Sequence, residues 1–563
     1  MDELRITPEG FRLGVTSLPI QAEGGDKRNS WHDWYKKGYI KDGTDPAVCG
    51  RFFEDYREFI DLMAEMGIRD LRLGLEWSRL EPARGVFNNG VIKHYREMLG
   101  YIVSKGIRPM LTLHSYSDPQ WFMDLGGFES PECEKIFLHY VKMAAESFGD
   151  LVSEFITFDE PNTYALNGYF YGCFPPGKQS YKLYRSVLTT LASCHMAAYG
   201  LIHSILDEGR DEQVKVSVSI GCRYYEPKDP KSGYQKRAVK WLDDFSYLSF
   251  ARAVMTGKAS KPVRKLGKSA GCYVDFIAMN YITGGKTTGL DERPIEEGIP
   301  VSDTGTAICP KGLALCAEKL SSLRSLPVYV TGCGVCDNED FFRLRFIYEH
   351  LQAAMGSSAD IRGFYYRSFA DGFELLEGST ARYGLVKTEG EEALTVRRSG
   401  EFYSDIIRAG GITEEIALRY TGTYYHDING KILEGLDDVY YDRQKVLKSE
   451  IGEGIITEVS RFSADPEGYD EAAVREENGT AVNREFPPAP EPAETVTSEA
   501  EPSEPETISV PEEKGACDIT EALDFILGRT ASAPSEDLPL PEGIEEIVEK
   551  DPVEHLDEIL GRI

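Results

Sequence analysis

Phe155-Ile156-Thr157-Phe158-Asp159-Glu160-Pro161-Asn162 is a short apolar run that ends in two adjacent carboxylates and a proline. Its β-branched and aromatic residues read as a buried strand, and Pro161 stops it. In a barrel of parallel strands, strand C-termini deliver side chains to the catalytic face. Two readings of Asp159-Glu160 stand open from this pattern: a solvated strand end, or carboxylates aimed into a site. On either side, from Phe11 to about residue 410, strand-like runs alternate with amphipathic helical ones. Arg69–Gly74, Arg108–His114, Glu154–Phe158, Val214–Ile220, Val274–Asn280, Pro327–Thr331 and Arg362–Tyr366 read as buried strands; Asp55–Met66, Val91–Lys105 and Glu134–Ser147 read as helices. This repetition predicts an α/β fold, a (β/α)8 TIM barrel. The competing open doubly wound sheet lacks an early Gly-x-Gly-x-x-Gly after a strand.

Thr157-Phe158-Asp159-Glu160-Pro161 resembles the Thr-Phe-Asn-Glu-Pro signature of glycoside hydrolase family 1, the β-glucosidase family. Gly168-Tyr169 and Pro175-Pro176-Gly177 fit the same pattern. Further matches follow in chain order. Gly14-Val15-Thr16-Ser17 with Gln21 and Glu23-Gly24 resembles the opening segment, followed by Ser30-Trp31-His32-Asp33. Arg72 through Trp77-Ser78-Arg79 and Glu81-Pro82 is similar to the second strand, and Thr112-Leu113-His114 with Pro119-Gln120-Trp121 to the third. Asp275-Phe276 with Asn280-Tyr281 resembles the sixth, and Phe373-Glu374 with Tyr383-Gly384-Leu385-Val386 the eighth and its exit.

A retaining glycosidase needs two carboxyl groups about 5–5.5 Å apart, one as acid/base and one as nucleophile. The resemblance implies that Glu160 is the acid/base. Asp159 stands where the family has an Asn that donates to the sugar 2-hydroxyl; an ionised Asp only accepts, and its charge raises the pKa of Glu160. The nucleophile belongs in the family's Thr-Glu-Asn-Gly, but here Tyr329-Val330-Thr331 is followed by Gly332-Cys333-Gly334. Gly332 therefore holds the nucleophile position with no side chain. A one-residue slip offers Cys333, at the cost of pointing to the other strand face.

Other positions depart in the same direction. Ile282 replaces a Tyr that bonds the nucleophile, Ser115 a sugar-binding His, and Tyr116 a Trp; Arg367 and Leu375 replace two Trp residues of the sugar platform. Gln21, Glu374, Asn280 and Arg72 remain, and make up the expected substrate-binding set with Ser115, Tyr116, Asp159 and Arg367. With the nucleophile gone, Arg72 and Arg367 either make the pocket floor basic enough for an anion, or Arg72 simply pairs with a barrel carboxylate. The expectation is an impaired family 1 homologue that binds a sugar or β-glycoside-like small molecule, or acts as a scaffold through its tail. The alternative is an active β-glucosidase-like hydrolase that borrows an attacking group from Asp371, Glu374, Cys333, a bound anion or the substrate. A third reading makes Cys333-Gly334-Val335-Cys336 a thiol or metal motif, although two further zinc ligands are missing nearby. No metal and no cofactor is expected.

The barrel is expected over residues 1–412, a small β-rich appendage over 413–463, a disordered acidic linker over 464–515, and a tail over 516–563. The linker, with runs such as Pro487-Pro488-Ala489-Pro490-Glu491-Pro492, is too poor in large apolar residues to offset its ordering entropy. The tail repeats itself: Leu523-Asp524-Phe525-Ile526-Leu527-Gly528-Arg529 matches Leu556-Asp557-Glu558-Ile559-Leu560-Gly561-Arg562. These short helix-like pieces either fold back onto the barrel or dock a protein partner, where two linked copies add avidity.

A net charge of −31 over 563 residues disfavours nucleic acid and anionic membranes as partners. No run of 18 or more apolar residues suggests a membrane span. Met1-Asp2-Glu3-Leu4-Arg5 lacks the basic and apolar regions of a signal peptide, and the 11 cysteines form no disulfide framework. A reducing, cytoplasmic location is the expectation.

Overall fold

The computed structural model describes residues 4–5, 10–208, 213–267, 270–290, 298–388, 394–420 and 423–433. Eight parallel strands close in chain order. They are β1 (Arg12–Ser17), β2 (Asp70–Gly74), β3 (Arg108–Ser115), β4 (Glu154–Asp159), β5 (Lys215–Pro227), β6 (Ile277–Thr287), β7 (Val328–Cys333) and β8 (Ile361–Tyr366). β8 pairs back onto β1, so the chain is a (β/α)8 TIM barrel. Helices such as Phe52–Glu65, Asn89–Ser104, Cys133–Phe148 and Tyr181–Leu206 wrap it and bury one face each.

The sequence pattern finds β2 to β8 and misses how far two of them run. β5 and β6 continue to Pro227 and Thr287, pairing Arg223 with Thr283, Tyr224 with Gly284 and Tyr225 with Gly285. This ribbon mixes polar, aromatic and glycine residues, so no apolar run or clean alternation announces it.

The barrel interior is layered. Met110, Ile156, Phe276, Ala278, Tyr329 and Tyr365 form a buried apolar cluster. At the N-terminal end of the strands Arg12 Nη1 pairs with Glu154 Oε2 at 2.7 Å. Toward the C-terminal ends the interior turns polar, through Arg72, Thr112, Asp159, Ser219, Asn280 and Thr331, all buried.

Strand β4 reaches that layer by breaking its own alternation. Its register against β5 shifts between Ile156 and Asp159, so Ile156 packs inside while both Thr157 and Phe158 face the helices. Phe158 stacks on Phe137 at 4.4 Å between ring centroids. The Thr157 hydroxyl lies 2.8 Å from His195 Nδ1, and His195 Nε2 lies 2.8 Å from the Tyr273 carbonyl. Pro161 then opens the helix Pro161–Ala165 at its first position, where a missing N–H costs nothing.

The 413–463 stretch begins with a helix, Glu414–Arg419, rather than a strand, because the Thr413 side chain caps it by accepting from Ile416 N–H. Bridges of His426 with Val301 and Ile432 follow, and Tyr425 donates to Glu349 at 2.7 Å. Residues 434–463 of that stretch, the 464–515 segment and both tail repeats (523–529 and 556–562) lie outside the described residues. Among the described residues no helix is long and apolar enough to cross a membrane.

Burial lowers the His195 pKa to about 4, so the ring is neutral in the fold and titrates near 6.5 when unfolded. Replacing it with Gln at neutral pH is expected to cost about 1–3 kcal/mol through the lost pair of buried hydrogen bonds. The unfolded wild type takes up a proton between pH 6.5 and 4 that the folded form does not, so wild-type stability loses the His195 contribution on acidification. Urea unfolding of wild type and His195→Gln across that range should show the gap narrowing as pH falls.

Candidate active site

Arg72 occupies the centre of the polar layer with its side chain wholly out of solvent. Nη2 donates to Asp159 Oδ1 at 2.5 Å, Nε to Thr112 Oγ1 at 3.0 Å, and Nη1 to Asn280 Oδ1 and the Thr331 carbonyl, both at 3.1 Å. The barrel carboxylate that pairs with Arg72 is thus Asp159. With four of its five N–H groups engaged and its charge answered by Asp159, Arg72 does not make the pocket floor basic. Breaking such a buried pair from one side typically costs about 3–5 kcal/mol.

Asn280, on β6, ties this pair to Glu160. Its Nδ2 donates to Asp159 Oδ1 at 2.9 Å and to Glu160 Oε1 at 2.8 Å. Its Oδ1 accepts from Ser219 Oγ at 3.0 Å and Thr331 Oγ1 at 2.9 Å as well as from Arg72. Every polar atom of the amide is engaged, which fixes its orientation.

Glu160 follows the last residue of β4 with a left-handed backbone, φ 46°. Its N–H is held by the Ser219 carbonyl at 2.8 Å, and Tyr116, also left-handed at φ 58°, donates Oη to Glu160 Oε2 at 2.7 Å. Non-glycine residues in this region cost of order 1–3 kcal/mol and are kept where surrounding contacts over-determine them. A Cβ at Gly221 would lie 2.5 Å from Glu160 Oε2, so the carboxylate fits against β5 because that residue is glycine. Burial raises the Glu160 pKa, the Asp159 charge raises it further, and the bonds from Asn280 and Tyr116 pull it back.

Across from Glu160 the structure has no acidic side chain at position 332. The β6–β7 register shifts between Met279 and Asn280, which sets Gly332 opposite Asn280. A Cβ built on Gly332 would meet Asn280 Oδ1 at 2.8 Å and Cγ at 2.9 Å. A cleft with about 520 Å³ of free space, counted to its solvent opening, runs past this point. Its lining includes Glu160, Asn280, Ile282, Gly332, Arg367 and Tyr383.

Arg367 lies over the Tyr383 ring at 4.5 Å and donates Nη2 to Glu374 Oε2, which also accepts from Gln21 Nε2 at 3.0 Å. The cation therefore has its own carboxylate, as Arg72 does. Burial pushes the Glu374 pKa up to about 7 despite Arg367. Ser115 Oγ reaches Asp159 Oδ2 at 3.3 Å. The structure thus joins Arg72, Ser115, Tyr116, Asp159, Glu160 and Asn280 in one bonded network, and Gln21, Arg367 and Glu374 in a second.

The other groups considered as attackers are engaged or inert. Asp371 Oδ2 pairs with Arg397 at 2.6 Å, and Oδ1 accepts from Gly384 N–H at 2.9 Å. Cys333 packs in the apolar core between barrel and helices, and burial pushes its thiol well above the ordinary range. Cys336 is raised to about 12, again by burial. Among the described residues no group of three or more His, Cys, Asp or Glu side chains could hold a metal ion. Thr112, Ser219, Thr331 and Tyr383 were not among the expected site residues. The signal for the first three was a small polar residue inside an apolar strand, which alone does not say which strands meet.

The family described as Glycosyl hydrolase family 1 matches residues 5–282 and 277–412. The chain is 25% identical to β-glucosidase A of Thermotoga maritima over 451 residues, 72% of this chain and 99% of that one. It is 29% identical to β-glucosidase 17 of Arabidopsis thaliana over 455 residues, 69% of this chain and 88% of that one. Among solved structures, a β-glycosidase from Pyrococcus horikoshii is 30% identical with a TM-score of 0.65, covering 74% of this chain and 98% of the other. A Thermotoga maritima β-glucosidase solved with glucoimidazole shares the fold at a TM-score of 0.66 and 23% identity, covering 72% and 99%.

Two substitutions should move the titration of Glu160 in opposite directions. Tyr116→Phe removes a bond that favours the carboxylate and raises its pKa; Asp159→Asn removes a like charge, frees the Arg72 cation, and lowers it. Carboxyl ¹³C NMR of glutamate-labelled protein, with Glu160→Gln to assign the signal, reads both shifts.

Proposed function

The chain belongs to glycosyl hydrolase family 1, and from that premise we propose that it binds a sugar or β-glycoside-like ligand while lacking ordinary retaining hydrolysis. Glu160 keeps the proton-donating role, and Gly332 leaves the attacking role unfilled. The observation that carries this reading is the pairing around position 332. The residue there has no side chain, Asn280 covers its Cα, and Arg72 has Asp159 as its counter-ion.

The chemistry follows from what each group can still do. A buried acid with a raised pKa is suited to protonating a leaving oxygen. Without a carboxylate opposite, no glycosyl-enzyme ester forms, and the oxocarbenium-like charge has no anion to stabilise it. That loss is worth several kcal/mol, about a thousandfold or more in rate. Gln21 and Glu374 remain as contacts for sugar hydroxyls, although Arg367 already uses one oxygen of Glu374. The substitute attackers are disfavoured by the ion pair of Asp371, the ion pair and raised pKa of Glu374, and the buried neutral thiol of Cys333.

An activated aryl β-glycoside, assayed with and without azide or formate, tests the proposal. Spontaneous turnover should be absent, and added anion should give slow turnover that disappears in Glu160→Gln. The anion should act only at high concentration, because the arginine nearest the gap already has its counter-charge. Robust hydrolysis by the wild type in plain buffer would refute the reading.

A further inference from the structure

We infer that Asp159 has taken over the counter-charge to Arg72 that a carboxylate at position 332 would supply, so that residues 159 and 332 form one coupled unit holding a single anion between them. This rests on the proposed reading of Gly332 as the vacated nucleophile position.

The geometry leaves room for one anion. Four of the five guanidinium N–H groups of Arg72 are used, by Thr112, Asn280, the Thr331 carbonyl and Asp159, and Asp159 is the carboxylate among them. Arg72 is fully buried and Asp159 only 2% exposed, so water screens neither. Position 332 reaches the same cation through Asn280: Asn280 Oδ1 is 3.1 Å from Arg72 Nη1 and 2.8 Å from where a residue-332 Cβ would lie. A side chain at 332 must displace that amide, whose bonds run to Asp159, Glu160, Ser219, Thr331 and Arg72.

Two carboxylates around one buried cation repel each other, and none leaves the cation uncompensated. Either state is worse than one. An aspartate in place of asparagine at 159 and a glycine in place of glutamate at 332 together conserve the charge count that either change alone breaks. Asp159 is then a positioning residue: it keeps Arg72 and Asn280 in place and touches no reacting atom. It also implies that Gly332→Glu alone does not rebuild a working site.

The test uses the full chain as wild type, Asp159→Asn, Gly332→Glu and the double variant, with Asp159→Asn/Gly332→Gln as an uncharged control. Each single change should lower the melting temperature. The double variant should melt about 5 °C or more above the value given by adding the two single losses, and the Gln control should show no such recovery. Additive losses, or equal recovery with Gln, overturn the inference. Where a single variant fails to fold, soluble folded yield makes the same comparison; recovery in the charged double variant alone is expected, and its absence overturns the inference.

Hydrolysis of p-nitrophenyl β-glucoside separates this inference from the reading beneath it. The double variant should exceed Gly332→Glu by about 100-fold. Equal, measurable rates in the two overturn the coupling. Stability coupling with no hydrolysis in either leaves the coupling standing and removes sugar recognition instead.

Discussion

A guanidinium buried at the centre of a barrel has to be answered by an anion, and the arrangement around Arg72 follows from that requirement. Asp159 answers it at 2.5 Å. Asn280 completes the shell of the cation and passes the connection on to Glu160. Because these side chains are bonded to one another, the layer behaves as one unit. The side chains of β2, β4, β6 and β7 are placed by each other as much as by their strands.

The same requirement explains why the pocket is not a basic one. Arg72 and Arg367 sit toward the C-terminal end of the barrel, and their charges alone would make it an anion site. Each has a carboxylate of its own, Asp159 for Arg72 and Glu374 for Arg367. What remains for a ligand is the Glu160 carboxyl, the free part of the Gln21–Glu374–Arg367 set, and a cleft bounded by Ile282 and Gly332. On the reading proposed above, Glu160 with no carboxylate opposite it is half of a retaining site. The fold contributes position and burial, while the second half of the chemistry depends on a side chain that glycine lacks.

Much of this was legible in the chain. The strand runs located seven of the eight barrel strands, because a strand buried on both faces writes itself as a continuous apolar run; the first, Arg12–Ser17, was matched only as an opening segment and not read as a strand. The ribbon beyond Cys222 and Tyr281 was not legible, since its pairing continues past the apolar core. The alternatives for Arg72 could be named but not decided from sequence, because Asp159 lies far from it along the chain and only barrel closure brings them together. Cys333 shows the same limit from the other side: one residue from Gly332 in sequence, it faces the helix layer, where burial keeps the thiol protonated.

By itself the sequence determined the barrel, the glycine at position 332 and the acid at position 160, since all three are properties of residue type and local order. Only the tertiary structure decided how the charged groups around that glycine pair with one another. Ion pairing depends on distance through space, and the groups concerned sit on strands that are adjacent only once the sheet has closed.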